Sequence, residues 1–429
     1  MDAVIVIALL LFLLFMRIPV YLSLFIAGVA GILLFTDLEI TFVAQTMVKK
    51  LDKFSLLAIP FFILLGSVMV RGRSAGLLVE LARKMVCFLP GGLAISGVIA
   101  SAAFGAISGS SISTIVTIGG VVFPYLDKYK YPRSFSVGLL TSSSILGVIV
   151  PPSIIMIICA DTAGVSVVRL FAAGYLPALV IVAALSLYAY WVSRRRGLGK
   201  QAMEPFSFYE LGKAARASIW PIFIIVLLFA GIYSGAFTIT EASVVSCMLA
   251  IIVECVIYRA VRLNELWQEI IAAAYISGAL VITVSGAGVL SEFITLQGIP
   301  NRIMELSMQY LPNWWTLLIF ANFLLLLVGT FLEPIGAIMI LVPILVPVAT
   351  GFGIDPIHLC MIVTLALTIG YITPPLGLLL YASAAITRED FVFVTKSIMP
   401  TLMVYVVCLF LISFVPWLST YMPRLIFGN

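Results

Sequence analysis

Two stretches of the chain, residues 91–126 and 313–349, are apolar for about 36 residues each, and both are broken midway by small polar or helix-breaking residues. A helix needs about 20 apolar residues to cross a ~30 Å hydrocarbon layer, so each half-stretch stands near the lower limit for crossing. The breaks therefore predict two re-entrant hairpins: a helix in, a tip within the membrane, and a helix back to the same side. Backbone that turns at that depth is tolerated only when protein or a water-filled cavity covers it, so the rest of the chain must enclose both tips.

The other apolar runs are bounded by charge or by Gly/Pro clusters. They predict spans near 3–16, 19–36, 54–70, 134–158 and 167–192, then near 218–233, 239–257, 267–290, 357–381 and 397–417. The expected fold is an all-α polytopic membrane protein of about 10 transmembrane helices plus two re-entrant hairpins. Composition excludes a hidden soluble domain: 63% of residues are hydrophobic and 10% charged, against about 25% charged in an ordinary globular chain. The segment Met1 to Phe15 has the length of a signal peptide. Its leading charge is Asp2 and no small-residue cleavage site follows, so it is expected to be retained as a helix.

Charge and rare residues remove several function classes. The net charge of +5 is carried by short loops, a membrane-insertion pattern rather than a footprint for nucleic acid. Six cysteines lie in apolar segments without CxxC spacing, so buried free thiols are expected rather than a metal site or disulfides. His358 is the only histidine. Catalytic histidine pairs are thereby excluded, and the one histidine lies far in the sequence from the serine clusters, which leaves an intramembrane hydrolase or transferase, needing a nucleophile with a base, only a remote alternative. His358 follows Asp355-Pro356 and is expected at a helix start. No GxxxxGK[ST] motif occurs, so no ATP binding through a P-loop is expected.

The two halves of the chain correspond. At an offset of 222, Gly66 matches Gly288, Gly76 matches Gly298 and Pro90 matches Pro312; at 223, Pro124 matches Pro347, Thr141 matches Thr364, Gly147 matches Gly370 and Pro151-Pro152 matches Pro374-Pro375. Shared glycines and prolines mark shared breaks and close approaches. This predicts a repeat over 1–192 (hairpin 91–126, broken helix 134–158), a linker over 193–216 and a second repeat over 217–429 (hairpin 313–349, broken helix 357–381). The linker holds Arg194, Arg195, Arg196, Lys200, Lys213 and Arg216 and is placed in the cytoplasm. Arg17, Arg71, Arg73 and Lys84 fall on the same side, both termini come out periplasmic, and the second repeat is inverted relative to the first. Lys49, Lys50 and Lys53 land on the opposite face, against the rule. The amphipathic stretch Gly76 to Leu89 reads as an arm at the membrane surface, with Gly76 and Gly298 as hinges.

The breaks carry the chemistry. The first hairpin turns at Ser108-Gly109-Ser110-Ser111-Ile112-Ser113-Thr114, and the next span holds Thr141-Ser142-Ser143-Ser144 before Gly147-Val148-Ile149-Val150-Pro151-Pro152-Ser153. The second half pairs Gly329-Thr330-Phe331-Leu332-Glu333-Pro334 with Gly370-Tyr371-Ile372-Thr373-Pro374-Pro375. Such clusters serve either as kinks and packing devices or as unwound carbonyls and hydroxyls that ligate a hard monovalent cation. The sodium reading names Ser108, Ser110, Ser113, Gly147, Val150, Gly329, Thr330, Gly370 and Thr373. The same breaks predict helix N-termini after Ser113, Pro152, Pro334 and Pro375, whose free N–H groups and positive dipole ends favour a carboxylate. An organic acid is the expected ligand, with Ser111, Ser142, Ser153, Pro152, Glu333 and Pro375 as its candidate contacts. Glu333 either caps the half-helix behind it or stands near the ion; Asp161 and Glu254 are expected to be solvated at helix ends, whereas Glu241 and Glu292 remain intramembrane candidates.

These segments resemble the large membrane subunit of TRAP (tripartite ATP-independent periplasmic) transporters over nearly the whole chain. The most specific stretches are Phe104 to Ser111, Gly147 to Ser153, Phe237-Thr238-Ile239-Thr240-Glu241-Ala242, and Phe331 to Ile335 with Thr373-Pro374-Pro375. The Thr-x-Thr-Glu-Ala signature separates this family from single-chain sodium/carboxylate symporters, which share the hairpin plan. Where many members have Asn before Leu-Ala-Ile-Gly, this chain has Ala366, so backbone carbonyls must serve there. The resemblance is nearer the sialic-acid branch than the C4-dicarboxylate branch. It implies a sodium-coupled elevator in the bacterial inner membrane, in which hairpins and broken helices move against a scaffold. It also implies two partners, a small four-helix membrane subunit and a periplasmic substrate-binding protein.

Overall fold

A chain in lipid can satisfy its N–H and C=O groups only within its own helices, and the uninterrupted apolar runs are helical here. The structure, a computed structural model, describes residues 2–16 and 18–428; Met1 and Arg17, both placed in the expected topology, lie outside them. Among the described residues seven helices are long and apolar enough to cross a membrane, or nine if two bent pairs each count as one. The expected number was about ten. Two of the seven are the legs of the second hairpin; the other five, the two bent pairs and the apolar but shorter helices Asp2–Phe15, Val20–Phe35 and Pro356–Gly370 account for the ten expected spans. Large apolar side chains point outward along the spans, among them Leu187 at 67% and Met403 at 68% exposure, as lipid-facing surface requires.

Both hairpins form. The first pairs Gly92–Ser108 with Ser111–Lys128, and the second pairs Trp314–Phe331 with Pro334–Gly351. Both later spans are broken: Arg133–Ser143 leads through Leu146–Ile149 to Ile154–Ala163 at a bend of 45°, and Pro356–Gly370 leads to Leu378–Thr387. The Pro151-Pro152 and Pro374-Pro375 peptides are cis.

These elements pack with Val167–Arg196, Phe391–Phe414 and Trp417–Phe427 into an inner body. Around one side runs a frame in which the 34-residue helix Leu263–Leu296 lies against Val20–Phe35, Ile40–Leu51 and Ala58–Arg71. Glycine permits that closeness: a Cβ on Gly28 would fall 2.6 Å from the Leu290 nitrogen.

Two arms link frame and body. Ser74–Val86 packs on the first hairpin, and Ile299–Tyr310 packs on the second. The first arm breaks from the preceding helix at Gly72-Arg73, not at the expected hinge Gly76, which lies inside the arm helix with open space around it. The cause is Glu254, expected to be solvated but fully buried. Its carboxylate accepts the Arg73 and Ser74 backbone N–H groups at 2.8 and 3.0 Å. A helix N-terminus has orphan donors, and a carboxylate aimed at them fixes where the helix begins. The second arm does turn at its expected glycine, Gly298, with φ +65° and no neighbour near its absent Cβ. Asp161, also expected to be solvated, is half-buried and paired with Lys53 at 3.8 Å. The linker carries a helix of its own, Phe208–Ala217. Its Glu204 accepts from Arg83 at 2.7 Å and Lys84 at 3.0 Å, which docks the linker on the first arm. His358 begins its helix as expected; Asp355 caps it by accepting the Ile357 N–H at 2.7 Å.

Candidate functional site

The first hairpin ends its leading leg with Gly109 at φ +57°, the left-handed cap that glycine allows, and Gly109 N–H returns to Gly105 O at 3.1 Å. Ser110 is then extended and its hydroxyl accepts the Ser113 N–H at 3.4 Å. Thr114 Oγ1 donates to Ser110 O at 2.8 Å and lies 3.4 Å from Ser108 Oγ. Ser108, Ser110 and Thr114 thus gather three oxygens at one point. Gly147 of the broken span meets this knot, since a Cβ there would fall 2.7 Å from Ser110 O. A Cβ on Gly105 would likewise fall 2.8 Å from Gly147 Cα, and one on Gly109 would fall 2.9 Å from Pro152 O. Val150 leaves the helix in an extended conformation, and Ser153 caps the next segment by accepting the Met156 N–H at 3.3 Å.

The second hairpin is built with less side chain. Leu332 and Glu333 are extended and Pro334 opens the returning leg. Gly329 lies on the broken span, a Cβ there being 3.0 Å from Leu367 O, and Gly370 presses on the Gly329 carbonyl. Thr330 Oγ1 donates to Leu327 O at 2.5 Å and Thr373 Oγ1 to Ile369 O at 2.8 Å, so each hydroxyl proton returns to its own helix.

A cavity of about 210 Å³ joins the two hairpins. It is lined by Ser108 through Ser113, by Ile154 and Ile155, and by Glu333, Ile335 and Tyr371; the frame contributes Ile63, Ser67, Ile276 and Leu280. Three helix starts therefore converge on it, at Ser111, Ile154 and Pro334. Among the described residues none of its lining is basic. The Ser111 hydroxyl is buried without a partner among the described residues, which leaves a free hydroxyl at the wall.

The structure brings Ser108, Ser110, Ser111, Ser113 and Glu333 to this cavity, with Pro152 and Ser153 directly beneath the first tip. Gly329, Thr330, Gly370 and Thr373 form a separate cluster behind the second tip. Ser142 lies elsewhere: its hydroxyl bonds to Thr401 and its carbonyl accepts from Tyr405 at 2.8 Å, so it faces the helix Phe391–Phe414. Two expected helix starts shift. The first returning leg begins at Ser111, ahead of Ser113, because Ser110 supplies the cap. After the second proline pair the helix begins at Leu378 rather than behind Pro375. Tyr371, Ile372 and Thr373 continue single turns, and Gly377 makes the reversal at φ −1°. Ser67 and Tyr371 were not among the expected contacts. Ser67 follows the matched Gly66, and Tyr371 sits inside the quoted second break. The Thr-x-Thr-Glu-Ala stretch caps Ile239–Ile252, a helix that belongs to the frame through its packing on Ala58–Arg71: Glu241 accepts the Thr238 N–H at 2.8 Å, and Thr240 Oγ1 donates to Phe54 O at 2.8 Å.

Comparison with known proteins agrees in fold and family. The YdaH transporter of Alcanivorax borkumensis superposes with a TM-score of 0.62 at 12% identity, covering 88% of each chain, a likeness of fold. The C4-dicarboxylate TRAP transporter large permease protein DctM of Rhodobacter capsulatus is 34% identical over 99% of this chain and 100% of that one. The sialic acid TRAP transporter large permease protein SiaM of Vibrio cholerae is 31% identical over 97% of each. Relatives named for different acids thus stand at nearly equal identity. The family described as "Tripartite ATP-independent periplasmic transporter, DctM component" matches residues 7–418. The chain belongs to this family of TRAP large permease subunits, and it is a transport protein rather than an enzyme.

Proposed function

We propose that this subunit imports an organic acid across the bacterial inner membrane by coupling its entry to sodium, without ATP. The observation that carries the reading is the convergence of three helix starts, at Ser111, Ile154 and Pro334, on one cavity that has no basic side chain among the described residues. Backbone N–H groups and helix dipoles favour a carboxylate there, and the free Ser111 hydroxyl adds a donor. Sodium takes neutral oxygens, and the Ser108, Ser110 and Thr114 oxygens beside Gly147 supply them in the first unit. Carbonyls around Gly329 and Gly370 supply them in the second. The cation then offsets Glu333 and the incoming anion, which ties the two solutes together. A cavity of about 210 Å³ lies below the ~300–1,000 Å³ usual for ligand pockets, which favours an acid nearer the C4-dicarboxylates unless the tips part.

The cavity lies between frame and inner body, and the halves 1–192 and 217–429 place equivalent breaks on either side of it. This supports an inverted-repeat elevator in which the inner body carries the site past the frame. A small four-helix membrane subunit and a periplasmic binding protein complete the transporter, as the family's tripartite name implies. The test is uptake into proteoliposomes holding all three components, with labelled C4-dicarboxylates and sialic acid in parallel. A sodium gradient should drive uptake of one acid class, and equal uptake with potassium in place of sodium would refute the coupling.

A further inference from the structure

Two cavities follow one face of the frame helix Leu263–Leu296. The site described above takes Ile276 and Leu280; a second cavity, of about 260 Å³, takes Val284, Ser291, Glu292 and Thr295. The same succession recurs on two helices of the inner body. Ile154 and Ile155 line the first cavity and Ile158, Asp161 and Thr162 the second; Ile335 lines the first, Met339 and Pro343 the second. Spacings of three and four residues keep each series on one helix face. At 1.5 Å per residue, the steps from Ile154 to Asp161 and from Leu280 to Glu292 cover about 10–18 Å. Three stripes on three helices thus form a single track that leads from the hairpin tips to the second cavity.

The far end of that track is charged. Lys50 Nζ lies 3.0 Å from Glu292 Oε2, a pair within the frame. Lys53 Nζ lies 3.8 Å from Asp161 Oδ1, which also accepts from Ser55 Oγ at 3.5 Å. This second pair crosses from frame to inner body. The segment bearing Lys53 and Ser55 is pinned to the frame, because Thr240 Oγ1 holds the Phe54 carbonyl between them.

We propose that the second cavity is the outer mouth of the substrate path and that Lys53–Asp161 is the bolt across it. When the inner body moves, Asp161 leaves and the Lys53 ammonium is free to receive the carboxylate of the arriving acid. The pairing also accounts for lysines on the face that the positive-inside rule leaves poor: Lys50 and Lys53 are neutralised by acidic partners. The side chains of the bolt are 47% and 24% exposed, so breaking it shifts the closed–open balance by about fivefold at most, which suits a contact remade every cycle.

This inference rests on the moving-body reading above, and the test separates the two. Ser55→Cys/Asp161→Cys, in the assembled transporter in proteoliposomes, is oxidised with copper-phenanthroline, each single variant serving as control. The expected result is a disulfide that stops uptake and a thiol reductant that restores it. Uptake at the reduced rate while the bond is intact, or failure of the pair to bond, overturns the bolt. In the same vesicles, Ile112→Cys at the hairpin tip reports on movement. If its labelling by an aqueous maleimide responds to sodium and acid while the cross-link is harmless, the bolt fails and the moving body stands. If its labelling never changes, both fall. Lys53→Gln should raise KM for the acid about fivefold with kcat kept, and Lys53→Arg should restore it; an unchanged KM removes the receiving role of Lys53.

Discussion

The two hairpin units share a backbone plan and differ in what their side chains do with it. In the first, the Ser108 and Thr114 hydroxyls lie within bonding distance of each other, Thr114 donates to the Ser110 carbonyl, and the Ser110 hydroxyl accepts the Ser113 N–H across the turn. In the second, Thr330 and Thr373 spend their protons on their own helices, and contact is made by Gly329 and Gly370 backbone. The arms differ in the same sense. One is clamped by the buried Glu254 carboxylate, whereas the other turns at Gly298, where no described atom lies near the absent Cβ. Side-chain oxygen marks the first unit and bare backbone the second, so equivalent substitutions should have unequal effects.

The largest effect tests what the units have in common. A Cβ at Gly370 would overlap the Gly329 carbonyl, and one at Gly147 would fall 2.7 Å from Ser110 O. Overpacking of this kind costs ~1–3 kcal/mol and displaces the tip, so Gly370→Ala and Gly147→Ala should each abolish uptake and lower the melting temperature of the purified chain. Tolerance at one position alone would show that only one unit depends on backbone contact.

Next come the arms. Glu254→Ala leaves the Arg73 and Ser74 N–H groups buried without partners, at ~1–3 kcal/mol each, and should depress thermal stability strongly. Gly298→Ala strains one left-handed residue at ~1–2 kcal/mol, and should slow uptake more than it lowers the melting point. Equal melting shifts would erase the distinction between clamp and pivot.

A smaller effect separates the ion ligands. Removing one neutral side-chain oxygen of the first knot at Ser108→Ala should raise the sodium needed for half-maximal uptake about fivefold, in keeping with ~1 kcal/mol for a neutral polar contact. Thr330→Val and Thr373→Val keep the carbonyls and should leave it within about twofold. Sodium titrations in which the threonine variants shift as far as Ser108→Ala would restore symmetry between the units.

The smallest concerns pH. Bonds from Arg83, then Lys84, hold the Glu204 carboxyl below the usual carboxylate range. A depressed folded-state value means that the stabilisation is present above the ordinary value and is lost as pH falls through the lowered one. Proteolysis of the linker should therefore rise only at acid pH, below about 4. Glu204→Gln should bring the same rise at neutral pH, by no more than the ~1 kcal/mol of an exposed pair.

Much of this was legible in the sequence because breaks are written in glycine and proline. Gly109, Pro151-Pro152, Pro334 and Pro374-Pro375 each mark a place where the helical ladder stops, and hydropathy shows its depth. What stayed hidden depends on the partner across the gap. Glu254 has the sequence context of a solvated helix end, and only the approach of Gly72 to Arg73 buries it. Ser142 sits in the same run of hydroxyls as its neighbours, yet Thr401, 259 residues on, turns it away from the cavity. Pro375 fits the rule for a first helical residue, but Gly377 takes the reversal and the helix waits for Leu378. The lysines at 50 and 53 broke a charge rule that counts residues without their counter-ions.

The buried carboxylate beneath the first arm also sets an order of events during synthesis. Glu254 is made 181 residues after Arg73, whose N–H it accepts. At ~5–20 residues per second that interval is roughly 10–35 s. For that time the first arm has no fixed start, and the first hairpin and broken span must wait in the bilayer unanchored to the frame. The first half thus becomes native only when the second half reaches it, so an arrest of translation within the linker should leave a nascent chain that quality-control proteases recognise.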